Sequence, residues 1–117
     1  MATIKAPLDA MEAEAVARRF AALAVPTRLL ILDYLRRCGE APVGEIAVGV
    51  GGSQQNTSKH LGVLRDVDMV ARRKRGTTAL YRVATASVNR LCDEARGWES
   101  DVSRLRPARQ GPFRHRP

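Results

Sequence analysis

The sequence predicts a mostly α-helical fold of about five helices, broken once by a small β-hairpin. Three observations predict it. Apolar side chains recur at helical spacing in successive stretches separated by proline or glycine. The period changes to that of strands between Val70 and Val83 alone. Six prolines and nine glycines fall mainly between the periodic stretches or beyond them.

The elements follow in order. Residues 8–23, "LDAMEAEAVARRFAAL", are rich in alanine, with Leu8, Met11, Ala15, Phe20 and Leu23 near helical spacing. Pro26 suits the first turn of a second helix over 27–37, apolar almost all round and therefore expected at the centre of the core. Arg36 and Arg37 suit its last turn, and Gly39 lies just beyond. "PVGEIAVGV" predicts a short third helix that stops at the glycines. Ser53 is then a good N-cap for a fourth helix over 54–66. On a helical wheel Thr57, Leu61 and Leu64 share one face, while Gln55, Ser58, Lys59 and Gly62 share the opposite one. "VARRKRGTTALYRV" reads as two short strands around an Arg75-Gly76 turn. A last helix from Ser87 to Leu105 carries a heptad seam of Val88, Leu91, Ala95, Trp98, Val102 and Leu105. Such a stripe fits either the chain's own core or a helix of another copy; the second is favoured, because little of the domain remains for this helix to cover. Residues 1–105 thus form one domain, and residues 106–117 a basic, Pro- and Arg-rich tail expected to be disordered.

Charge narrows the partners. The chain of 117 residues carries a net +8. Residues 1–40 hold six basic and five acidic side chains, whereas residues 41–84 hold seven basic and three acidic. The excess therefore begins at the glycine-rich stretch, and an anionic polymer is the simplest partner for such a field. No stretch approaches a membrane span, and the N-terminus, interrupted by Asp9, Glu12 and Glu14, does not read as a secretory signal. With two cysteines and no such signal, a cytoplasmic protein is expected.

"GVGGSQQNTSKHLGVL", Gly49 to Leu64, invites a phosphate-loop reading, but its spacing excludes one. A phosphate-binding loop needs glycine-lysine directly after the glycines and a buried strand before them. Here Lys59 lies seven residues beyond Gly52 and a helix precedes. The glycines are turn residues, and the order becomes helix, turn, helix, basic hairpin: a winged helix-turn-helix.

At this point the chain resembles the ArsR/SmtB family of bacterial winged-helix repressors. "LAVPTRLLILDYL", "VGEIAVGVGGSQQNTSKHLGVLRDVDMV" and "RRKRGTTALYRV" match its successive blocks, and the string from Ser53 to Leu64 is the most diagnostic. The resemblance implies a homodimer built by the first and last helices and a double-stranded DNA operator. It implies a recognition helix that presents Gln54, Gln55, Ser58 and Lys59 to the major groove, and release by an inducer, which the sequence leaves open. Residue chemistry agrees, since Gln pairs with adenine bidentately and Lys donates to guanine or phosphate. Arg72, Arg73, Lys74 and Arg75 can neutralise flanking phosphates, although a basic hairpin can also be merely solvated. Two positions depart from the pattern. Asp68 stands where the family usually has Gly before the wing, and Gly52 where an apolar residue usually packs the turn.

No cofactor is expected. The family's thiol metal site falls on Pro42 and Gly44, and its last-helix site on Thr85, Ser87, Trp98 and Asp101, which do not make a zinc site. Cys38 and Cys92 are candidate sensor thiols or small core side chains. His60 borders the buried face and reads as a hydrogen-bonded structural histidine; neither it nor His115 has the setting of an enzyme's base. Two readings compete with the repressor: a non-specific architectural nucleic-acid binder, and a protein-interaction module on a winged-helix scaffold.

Overall fold

The computed structural model describes residues 5–105. The basic tail, with His115, lies outside the described residues. Five helices and three short strands follow one another as α1 (Ala10–Leu23), α2 (Pro26–Cys38), β1 (Ala41–Pro42), α3 (Val43–Val50), α4 (Gln54–Asp66), β2 (Val70–Arg75), β3 (Thr78–Val83) and α5 (Ala86–Leu105). The mostly α architecture with a hairpin wing is thus as the sequence predicts.

Local chemistry sets the boundaries. Helix α1 starts at Ala10 rather than Leu8, because Asp9 and Glu12 form a reciprocal cap. The Asp9 carboxylate accepts from the Glu12 N–H at 2.8 Å, and the Glu12 carboxylate accepts from the Asp9 N–H at 3.3 Å. Pro26 opens α2, where its missing N–H costs nothing. Gly51, at φ 72°, ends α3, and the Gly51 and Gly52 N–H groups bond back to Val48 and Ala47 carbonyls at 3.2 and 2.9 Å. The same device ends α4 with Asp68 at φ 62°, where the family's glycine would stand. Asp68 is aided by α1: Arg19 donates to the Val67 carbonyl at 3.2 Å and lies 4.0 Å from the Asp68 carboxylate.

Two details differ from the sequence reading. The hairpin turns on Gly76 and Thr77, not Arg75 and Gly76, because Arg75 pairs with Thr78. Ala41 and Pro42 form a third strand that pairs antiparallel with Tyr81 and Leu80, giving the order β1-β3-β2. The core lies between the helices and this sheet. Its fully buried side chains are Ile31 and Leu35 of α2, Ile46 of α3, and Thr57, Leu61 and Leu64 of α4. Helix α2 is central as expected, but not all round: Leu29 and Leu30 are 43% and 54% exposed.

Helix α5 leaves this core after one turn. Val88 is buried and Cys92 half-buried against it. Arg36 then grips Asp93 with two hydrogen bonds at 2.5 and 2.7 Å. Beyond that point α5 is mostly uncovered.

Candidate nucleic-acid interface

Burying Thr57, Leu61 and Leu64 forces the opposite face of α4 outward. Ser53 fixes where that face begins, its hydroxyl accepting from the Asn56 N–H at 3.1 Å. Gln55, Ser58 and Lys59 are exposed together, with Gly62 between them. Gln54 is exposed too, but it leans towards α3, where a Cβ on Gly44 would lie 3.5 Å from its Oε1. Gln55 and Lys59 are therefore the freer pair. Gly52 has room: an added Cβ would meet nothing closer than 3.5 Å, so the family's apolar residue is absent without any compensating crowding.

The wing presents Arg72, Arg73, Lys74 and Arg75 on β2, all exposed. Alternation along the strand sends Arg72 and Lys74 to one face and Arg73 and Arg75 to the other. Arg73 is not free as the sequence reading supposed. Its guanidinium holds the Glu40 carboxylate through two bonds of 2.7 Å, across the sheet from the loop before β1. This contact keeps the Glu40 carboxyl below the usual carboxylate range. Three wing cations remain unpaired with any acid among the described residues.

His60 is a structural histidine. Arg28 of α2 donates from Nε to His60 Nδ1 at 3.1 Å, and from Nη1 to the Ala22 carbonyl at 3.2 Å. Burial, and then the Arg28 charge, push the imidazole below its ordinary value, so the ring is neutral at pH 7. Nothing in the sequence announces that pairing, which joins residues 32 apart. Among the described residues, no three His, Cys, Asp or Glu side chains converge as a metal site.

The predicted seam divides. Val88 faces its own chain's core, so it does not belong to the surface offered to a partner, contrary to the sequence reading. Leu91, Ala95, Trp98 and Leu105 are exposed, Trp98 by 69% and Leu105 by 80%, with Val102 half-buried among them. Leu29 and Leu30 of α2, which the sequence reading places in the core, are exposed as well, as are Met11 and Phe20 on the predicted stripe of α1. Leu29, Leu30, Cys92 and Ala95 line a groove of about 430 Å³ between α2 and α5. Cys38 is exposed at the end of α2 and is no core residue, whereas Cys92 is packed there. Burial, and then the Asp93 charge, push the Cys92 thiol up, away from the reactive thiolate.

Comparison with known proteins agrees with this geometry. A helix-turn-helix domain model matches residues 23–73. The chain is 40% identical over 90 residues to the HTH-type transcriptional regulator NmtR of Mycobacterium tuberculosis, covering 77% of this chain and 74% of that one. It superposes with a TM-score of 0.70 on the homodimeric winged helix-turn-helix DNA-binding domain of a possible ArsR-family transcriptional regulator from Mycobacterium bovis. That likeness, at 31% identity, covers 92% of this chain and 99% of the other. The antimony-specific transcriptional repressor AntR superposes with a TM-score of 0.71 at 27% identity, covering 86% of this chain and 90% of its own. Fold, recognition helix, wing and relatives coincide, and the chain belongs to the ArsR/SmtB family of winged-helix transcriptional regulators.

Proposed function

We propose that the protein is a dimeric repressor whose two α4 helices enter successive major grooves of a two-fold operator about one helical turn apart. Gln55, Ser58 and Lys59 contact bases, with Gln54 at the edge near α3. Arg72, Lys74 and Arg75 hold the flanking phosphates. Two copies meet through α1 and α5, where the uncovered apolar side chains lie. One observation carries the reading most: burial of one face of α4 exposes a coherent polar face beside a basic wing in which Arg72, Lys74 and Arg75 are unpaired with any acid among the described residues. It is the surface of a binding protein rather than an enzyme, acting in the cytoplasm where its DNA is. No helix among the described residues is long and apolar enough to cross a membrane.

The decisive test is fluorescence anisotropy of the reduced protein on DNA from just upstream of its gene, against a scrambled duplex at the same salt. Preference by about 10³-fold or more marks a sequence-specific regulator. Equal binding to both would favour an architectural nucleic-acid binder, and no binding a protein-interaction module. Gln55→Ala is expected to cost about 1–3 kcal/mol of operator affinity and to relax preference at one base pair. Unchanged affinity would remove Gln55 from the reading face.

The Glu40–Arg73 pair makes a separate prediction. An acid that holds a wing cation competes with DNA phosphate for it. Glu40→Gln should therefore raise affinity and steepen the dependence of log K on log salt by about 0.9 for each phosphate newly neutralised. In a dimer the increment appears twice. A weaker complex with an unchanged slope would mean that Glu40 serves to position the wing instead.

A further inference from the structure

Asn56 stands outside the face that the wheel assigns to DNA, yet it is exposed in the first turn of α4 and flanks Gln55 and Lys59. At 100° per residue it lies about as far round from the Gln55 and Lys59 pair on one side as Ser58, a member of that face, does on the other. Its neighbour on the inner side is His60, whose hydrogen bonding fixes what Asn56 can offer.

An arginine Nε is a donor at every accessible pH, so the 3.1 Å contact from Arg28 makes His60 Nδ1 an acceptor. In a neutral imidazole the proton then resides on Nε2. His60 Nε2 lies 3.5 Å from the Asn56 carboxamide nitrogen, Nδ2. Two donors cannot pair. The two ends of a carboxamide are distinguished by their partners, and turning this one sets Oδ1 against the Nε2–H. The NH2 group then points away from His60, towards the open side of the helix. Arg28 is itself anchored on the Ala22 carbonyl, so the sequence Ala22, Arg28, His60, Asn56 runs from the α1–α2 junction to the reading helix.

We infer that Asn56 is a specificity-determining residue, held by Arg28 and His60 so that it offers donors only and selects guanine in the major groove. A free asparagine prefers adenine, to which it gives one hydrogen bond and from which it accepts another. With Oδ1 turned inward onto His60, the acceptor half of that pairing no longer faces a base, although the oxygen keeps a second lone pair. The two N–H donors match the N7 and O6 acceptors of guanine instead. This rests on α4 being the operator-reading helix, as proposed above.

The test uses the full chain and an operator duplex enriched by it from a randomised pool. Every base pair of that duplex is then substituted in turn and binding is followed by anisotropy. Asn56→Ala should lose about tenfold of preference for guanine at one position per half-site and leave the other positions as they were. Asn56→Asp keeps an acceptor for His60 but has no donors. It should shift the same position towards cytosine, whose N4 donates. His60→Ala should relax that position alone, and combining it with Asn56→Ala should relax it no further. A residue that merely braced His60 would leave the base preference of Asn56→Asp unchanged. The inference is overturned if the Ala and Asp variants both keep the wild-type preference everywhere while Gln55→Ala relaxes a position. If the wild type enriches no sequence at all, the operator-reading role of α4 fails first and the inference with it.

Discussion

Replacing Trp98 by Asp is expected to yield a monomer at micromolar concentration in sedimentation, with operator affinity lowered by at least about 10²-fold. Trp98 is 69% exposed within its own chain, so the substitution removes little from the fold of a single copy. Its cost falls on assembly. An aromatic anchor near the centre of an interface is worth about 2–4 kcal/mol. A two-fold interface uses the same patch twice, so one substitution removes two anchors and places two carboxylates in an apolar surface. The dimerisation constant should drop by about 10³-fold or more, which exceeds what a typical repressor dimer can lose while remaining paired. DNA affinity follows because a monomer engages one half-site. Trp98 is the sole tryptophan, so its own fluorescence reports the interface. Wild-type emission should shift red on dilution through the dimer constant. If Trp98→Asp stayed dimeric, the seam of α5 would be excluded as the interface.

The sequence disclosed most of what is repeated locally and little of what is brought together from afar. Helical period, the Ser53 cap and the glycine turn each depend on neighbours within about four residues, and all appear in the structure. Strand β1 was invisible because two residues carry no period, and Pro42 suits a helix start as readily as a strand. The Glu40–Arg73 and Arg28–His60 pairs join residues 33 and 32 positions apart, and only the fold selects those partners. Arg73 shows the consequence. Composition alone counts it with three other cations, although it is the one whose charge is already answered. The seam was legible as a stripe but not in its division. Val88 and Leu91 obey the same heptad, and only packing shows that one faces inward while the other is 37% exposed.

Gly49 provides the clearest case of a constraint the sequence conceals, and it supports a paired expectation. Within the glycine-rich stretch it looks like one more turn residue, but it is helical and lies in α3. A Cβ at this position would run into the ring of Tyr34 on α2, closer than any real contact allows. Tyr34 is half-buried against the core, so its ring cannot move away freely. Gly62 is also helical, yet nothing lies within 4 Å of where its Cβ would be. The same substitution should therefore act in opposite directions. Gly62→Ala gains helix propensity and should raise stability by up to about 1 kcal/mol. Gly49→Ala gains the same propensity but forces α3 from α2, an overpacking cost of about 1–3 kcal/mol, and should lower the urea midpoint. Tyr34→Leu in the Gly49→Ala background removes the obstructing ring and should recover part of the loss, a coupling that two independent substitutions would not show. Because α3 hands the chain through Gly51 to α4, the displaced helix should also weaken operator binding before the protein unfolds. Equal stabilisation by both alanines would mean that α3 and α2 are farther apart in solution than this packing requires.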